Sequence, residues 1–257
     1  MQYKYLGNGR ALFQRKSGLR FIVDLKDLGT VNFISTDIYE PDVTFAIEKL
    51  LNPGKIFIDV GANLGIHSLE AGRIVKPAGR VHAIEANPQI FKLLRDNVVL
   101  NGYQGFVHLH EMAAWNAGGV VRFSAEPDTH RVGAVRVKNA TNYGSDEVVV
   151  EAKRVDQLGI DPPQVGLVKI DVEGREAFVI EGMADLIERS DCGIVAEFVP
   201  SLIEETYGLD KFLKLMNDLN RTPYLINTTT NSFDRVEDMP RQHTNLFVVV
   251  LIKNGVR

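Results

Sequence analysis

The sequence predicts an α/β fold: a doubly wound, mostly parallel sheet preceded by a small β-rich extension. Two observations carry this. From residue 56 onward, short apolar runs alternate with segments of helical period. Each of the runs at 55–60, 80–85, 105–111, 166–171 and 192–198 also carries an acid at or beside its C-terminal end, the sheet edge where such folds bind ligands. The composition permits this. The chain has 257 residues, 45% hydrophobic and 24% charged, enough for one large domain with an extension and far from disorder. A net charge of −4 gives no bulk signal for nucleic acid or an anionic membrane.

Residues 1–36 form the predicted extension. ALFQRKSGLRFIVDL and GTVNFIS read as strands, with turns at Ser17-Gly18 and Leu28-Gly29. The main domain is predicted over 37–257. It opens with a helix whose face carries Ala46, Ile47, Leu50 and Leu51 and which Pro53-Gly54 stops. KIFIDV is continuously apolar up to its acid, as a strand covered on both faces should be. GIHSLEAGRIV follows as a helix and RVHAIE as a strand. In ANPQIFKLLRDNVVLNG, Asn87 suits an N-cap, Pro88 the first helical position and Gly102 the stop, with Ile90, Leu93, Leu94 and Val98 as the buried stripe. GFVHLHE is a third strand.

GGVVRFS and DEVVVEAKRV read as strands flanking a polar stretch at 125–145. GLVKID is a strand, REAFVIEGMADLIER one helix with Val179, Ile180, Met183 and Ile187 inward, and CGIVAEF a strand. DKFLKLMNDLN is a helix with Phe212, Leu215, Met216 and Leu219 on one face. TPYLIN and NLFVVVLI are the last strands, and their short turn-rich connection predicts an antiparallel final strand. Cys192, the single cysteine, excludes a disulfide framework within the chain and reads as a small buried hydrophobe. The N-terminus lacks a signal-peptide core, and no run approaches roughly 18 apolar residues, so a soluble, cytoplasmic protein is expected.

The loop DVGANLG carries the chemistry. It is a poor dinucleotide fingerprint, because Asn63 stands at the second glycine and Ile66 at the third. It is no P-loop, because no lysine follows Gly65. An acid-flanked loop suits a cationic, phosphate-free ligand. Glu85, about twenty residues further on at the next strand end, stands where an acid accepts the hydroxyls of a ribose. S-adenosylmethionine meets both demands.

FIDVGANLG, IEANP, the AAWN at 113–116, VKIDVEGREAFVIEGM and the YEP at 39–41 together resemble the FkbM-type S-adenosylmethionine-dependent methyltransferases, from about residue 37 to the C-terminus. The resemblance implies a seven-stranded, Rossmann-like class I methyltransferase fold. It also implies methyl transfer to the oxygen of a sugar, polyketide or similar small molecule. It places Asp59, Gly61, Ala62 and Asn63 around the methionine end of the cofactor and Glu85 at the ribose, with Ala86 beside it. Met112 and Ala113 would border the adenine, and Tyr39 and Glu40 would close over the cofactor. His67 and Ser68 depart from the family pattern, and His67 is assigned to helix packing.

An alcohol nucleophile must lose a proton, and a strand-end carboxylate can take it. Asp171 is the expected base and also belongs to the cofactor shell. Glu173 would share the task or bond backbone amides. His130, in the polar stretch with Arg131 and Arg136, is an alternative base. Asp171 and Glu197 are the pair that would hold a Mg²⁺, a less favoured expectation. Two other classes remain. A methyltransferase of RNA or protein is disfavoured by the acidic balance and by IDVEG standing where an Asn-Pro-Pro-Tyr motif would. A non-catalytic adenosine or NAD module is disfavoured by Asn63. The expected partner is a hydroxylated small molecule, with no nucleic acid and no membrane. The oligomeric state stays open.

Overall fold

The computed structural model describes residues 2–26, 28–124, 136–137, 147–237 and 247–255. Strands β1 (Gln2–Gly7), β2 (Arg10–Gln14) and β3 (Arg20–Asp24) form an antiparallel three-stranded sheet. Ala11, Phe13, Phe21 and Val23 alternate inward from β2 and β3. The stretch predicted as a third extension strand is instead helix α1 (Leu28–Thr36), and Leu28-Gly29 is its start rather than a turn. The spacing of its buried residues explains the difference. Thr30, Phe33 and Ile34 fall on one helical face, and Phe33 packs edge-on against Phe13, Phe21 and Tyr39 at 5.1–5.7 Å. That packing outweighs the strand preference of Val31 and Ile34.

The order then runs α2 (Pro41–Leu50), β4 (Ile56–Val60), α3 (Ile66–Val75), β5 (Arg80–Glu85), α4 (Pro88–Leu100) and β6 (Val107–Glu111). Every residue of β4 is buried. Asn87 caps α4, its side chain accepting from the Gln89 amide at 2.9 Å. Next come β7 (Ala113–Ala114), β8 (Gly119–Ser124), β9 (Arg136–Val137) and β10 (Glu147–Lys153), a separate sheet in the order β7-β10-β8-β9.

β11 (Val165–Ile170) leads into α5 (Glu176–Glu181) and α6 (Ala184–Arg189). These replace the single helix predicted there, with the break at Gly182. Met183 leaves helical geometry at φ −130°, ψ 21°, and a Cβ on Gly182 would lie 2.0 Å from the Trp115 carbonyl oxygen, so only glycine fits at the junction. The predicted inward residues Val179, Ile180, Met183 and Ile187 are all buried nonetheless. The chain ends with β12 (Gly193–Phe198), α7 (Pro200–Thr206), α8 (Leu209–Asp218), β13 (Arg221–Asn227), β14 (Ser232–Arg235) and β15 (Phe247–Lys253).

The large sheet has the order β14-β13-β15-β12-β11-β4-β5-β6. β15 runs antiparallel to both neighbours, as expected. The sheet has one strand more than predicted, because β14 folds back on β13 as an edge hairpin. One face packs with α2, α3, α4 and the N-terminal sheet around Phe57, Leu69 and Leu94. The other packs with α5, α6 and α8 around Ile58, Ile180 and Phe212. Buried Asn97 of α4 ties three parts together. Its Oδ1 accepts from the Ile22 amide at 2.6 Å, and its Nδ2 donates to the carbonyls of Ile22 and Leu64. Among the described residues no helix is long and apolar enough to cross a membrane.

Candidate active site

The loop after β4 is held by its neighbours' backbones. Gly61 has φ +76°, and a Cβ there would lie 1.9 Å from the Asp171 carbonyl oxygen, so only glycine lets the ends of β4 and β11 meet. The Gly61 and Ala62 amides both donate to the Ile84 carbonyl at 3.0 Å. Asn63 takes φ +50°, a region asparagine tolerates, and its amide donates to Glu85 Oε2 at 2.9 Å. Its own Oδ1 accepts from the Leu64 amide.

Glu85 is buried, and its other oxygen, Oε1, accepts from the Asn87 amide at 2.7 Å. Burial pushes its carboxyl up to about 7, against the pull of those two amides and of Lys169. A carboxylate offers about four lone-pair positions. Two amides leave room for a pair of ligand hydroxyls. The Met112 amide donates to the Glu85 carbonyl, which brings buried Met112 and Ala113 beside the acid. Ala86 packs with Trp115 on the small cluster around Ala113.

At the centre stands Lys169, which the sequence reading missed. Its ammonium lies 2.9 Å from the Gly61 carbonyl, 3.0 Å from Asp171 Oδ2 and 3.5 Å from Asp59 Oδ1. Burial works against its charge, but Asp171, Asp59 and Glu40 together hold its pKa well above the ordinary lysine value. A signal existed: Lys169 is the only charge within the apolar run GLVKI, two residues before Asp171 and so on the same face. Asp59 lies behind the loop rather than on its open side. It is fully buried, with Oδ2 accepting from the Ser68 hydroxyl at 2.6 Å. It braces Lys169 and Ser68.

Glu40, Asp171 and Glu197 converge, with carboxylate oxygens within 4.8 Å of one another. Burial, the Asp171 charge and the hydrogen bond shared with Asp171 push the Glu197 carboxyl up to about 10. The Glu197 carboxyl is thereby held toward its neutral form beside the Asp171 carboxylate. Glu40 goes the other way. Burial alone would raise it, but the His67 hydrogen bond and charge, then Lys169 and Tyr39, hold it down at about 2. His67 is buried with Nε2 2.8 Å from Glu40 Oε2, and its ring tilts against Tyr39 at 5.3 Å. From its buried place on α3 it reaches both Glu40 and Tyr39. Burial first, then Glu40, raise the Tyr39 hydroxyl well above its usual value. Three carboxylates would suit a hard cation such as Mg²⁺. Here the Lys169 ammonium already supplies positive charge, and an ion would have to displace the Glu197 proton.

Glu173 follows on the same loop with φ +54°. Glu176 Oε1 accepts from this loop's Val172 and Gly174 amides at 3.2 and 3.1 Å. His130 and Arg131 lie outside the described residues, as does most of the 125–145 stretch. Arg136 is described by its backbone in β9.

Comparison with known proteins adds the following. A family profile described as "Methyltransferase FkbM domain" matches residues 59–238. A hexuronic acid methyltransferase from Haloferax volcanii is 26% identical over 190 residues, 70% of this chain and 74% of its own. A 31-O-demethyl-FK506 methyltransferase from Streptomyces tacrolimicus is 28% identical over 187 residues, 61% of this chain and 70% of its own. The crystal structure of a putative rRNA-methylase from Clostridium thermocellum superposes with a TM-score of 0.52 at 11% identity. The match covers 83% of this chain and 93% of that one, a likeness of fold.

Proposed function

This chain belongs to the FkbM-type S-adenosylmethionine-dependent methyltransferases, and from that premise we propose that it methylates a hydroxyl oxygen of a small polyhydroxylated molecule, with Asp171 as the general base. The observation that carries this reading is the Asp171 carboxylate at the end of β11, ion-paired to Lys169 at 3.0 Å and converging within 4.8 Å on the Glu40 and Glu197 carboxylates.

The residues fit the cofactor. Glu85 keeps lone pairs for a ribose diol, and Met112 and Ala113 offer an apolar wall for a purine. Glu40 and Asp171 give a cation an acidic surround. When bound, S-adenosylmethionine supplies a sulfonium methyl group open to direct displacement. The protein's part is alignment and proton removal. Asp171 takes the proton of the acceptor hydroxyl as the oxygen–methyl bond forms. Glu197, through its hydroxyl, fixes which Asp171 oxygen is free to accept. Lys169 holds Asp171 and the Gly61 carbonyl in one frame and keeps the acid cluster from carrying several uncompensated charges. Glu173 would steady the loop that follows. Two relatives support a small-molecule acceptor, since one is named for a hexuronic acid and the other for 31-O-demethyl-FK506.

The test is release of S-adenosylhomocysteine over a panel of neutral sugars, uronic acids and macrolides, with the methylated atom located by NMR. Turnover with an O-methyl product is expected. No product across the panel, or methylation at nitrogen or carbon, would overturn the reading.

A further inference from the structure

One side chain of the N-terminal extension reaches toward the candidate site. Arg15, just after β2, is mostly buried and divides its guanidinium between two acids. Nε donates to the Asp37 carboxylate at 2.7 Å and Nη2 to the Asp37 carbonyl at 2.9 Å. Nη1 donates to Glu70 of α3 at 2.5 Å. The guanidinium also lies over the Phe33 ring, 5.2 Å from its centre. The second Asp37 oxygen accepts from the Lys16 amide at 3.0 Å.

Asp37 opens the four-residue strap between α1 and α2 that delivers Tyr39 and Glu40. Both ends of the strap are left-handed, Asp37 at φ +60° and Glu40 at φ +37°. Neither is glycine, and such a backbone persists only where its surroundings impose it. Glu40 stands at the N-cap of α2, yet its side chain makes no cap bond and turns to His67 instead. Ile38 is exposed and anchors nothing. The fixed geometry therefore comes from the rings around Tyr39 and from the polar pins at the two ends.

Those pins close a circuit. Asp37 and Glu40 are three residues apart on the strap. His67 and Glu70 are three apart on α3 and so share a helical face. Glu40 bonds His67 at one end, and Arg15 joins Asp37 to Glu70 at the other. α3 starts immediately behind Gly65 of the DVGANLG loop. The circuit thus sets the strap against the helix that leaves that loop. We propose that Arg15 is a positioning residue of the candidate site: by pinning the strap it aims the Glu40 carboxylate at the cationic end of the cofactor. This rests on the place given above to Glu40 in the acidic surround of S-adenosylmethionine. Lysine could not replace Arg15, because a point charge cannot hold Asp37 twice and Glu70 once in a fixed fork.

The test is a double-mutant cycle on the full chain, read by calorimetric titration with S-adenosylmethionine and no acceptor. Arg15→Lys keeps the charge and most of the stem. Glu40→Gln keeps the shape. Each should weaken binding about 10-fold, the scale of a hydrogen bond to a charged group. If Arg15 acts through Glu40, the double variant should also lose about 10-fold rather than about 100-fold. Asn101→Ala loosens the extension elsewhere, where Asn101 pairs with the Arg20 backbone, and should leave affinity unchanged. Normal binding in Arg15→Lys would overturn the inference. So would a double variant at about 100-fold, or an Asn101→Ala loss as large as that of Arg15→Lys. Normal binding in Glu40→Gln would overturn the placement of Glu40 as well, which separates the two failures.

Discussion

The two halves of the candidate active site are built from different materials. Around Glu85, the β4 loop and the β5 end meet through backbone amides, with Asn63 and Asn87 donating to the carboxylate and Gly61 and Ala62 donating to Ile84. Around Asp171, the contacts are side chain to side chain: Lys169, Glu197, Glu40 and His67 from four separate segments. A backbone-built site is fixed by one contiguous motif. A side-chain site is fixed only by the charge balance among distant residues, so one substitution resets the others. The first half should govern cofactor affinity and the second half turnover.

The sharpest division comes from Asp171→Asn. It removes the proposed base without changing shape, and turnover should fall about 10²–10⁴-fold. S-adenosylhomocysteine affinity, measured by calorimetry, should change little. Equal losses in both would show that Asp171 acts through cofactor binding rather than as the base and erase the contrast between the halves.

Lys169→Met should break the comparison, because Lys169 touches both halves. Removing one partner of a buried charge cluster costs about 3–5 kcal/mol. In a chain of this size that lowers the melting temperature by roughly 6–20 °C. Cofactor affinity and turnover should fall together. A variant that melts normally and loses turnover alone would show that Lys169 serves Asp171 only.

Glu85→Gln should fall on the cofactor side. Its amide group must face either the Asn63 or the Asn87 N–H, donor against donor. Hydrogen bonds to a charged group are worth about 1.5–3 kcal/mol, so S-adenosylhomocysteine affinity should drop roughly 10–100-fold. Turnover at saturating cofactor should stay within a few-fold of the parent. A large fall in saturated turnover would place Glu85 in the chemistry.

The same contrast explains what could be read from the sequence. The backbone-built half was legible. Glycine spacing, the Asn87 cap and the acid ending RVHAIE are local signals, and the antiparallel last strand followed from a short connection. The side-chain half was half legible: Asp171 and Glu197 announced themselves as strand-end acids. Lys169 showed only as a lone charge in an apolar run and His67 not at all, because their meaning depends on Glu40 and Asp59, far away in the chain. Position 182 must be glycine because of a carbonyl at Trp115, well outside any helical window. α1 is a helix because Phe33 has three aromatic partners waiting.

The smallest expected effect is also the one that separates affinity from stability. Glu85 is raised to about 7 in the folded chain against an ordinary value of 4.5. Its stabilising contribution is therefore full below about 4.5 and is lost as pH rises through about 7. A ribose diol donates to the ionised form, so cofactor affinity should run the opposite way and weaken as pH falls below about 7. Glu176, also raised to about 7 by burial, adds the same sign to stability while accepting only from the backbone amides of its own loop. Melting temperature and S-adenosylhomocysteine affinity, both followed from pH 5.5 to 8.5 (roughly 1.5 units either side of 7), should slope in opposite directions. Glu176→Gln should flatten only the first curve. If affinity instead rose toward low pH, the ligand would be donating to nothing at Glu85, and the ribose assignment would fall while the fold argument stood.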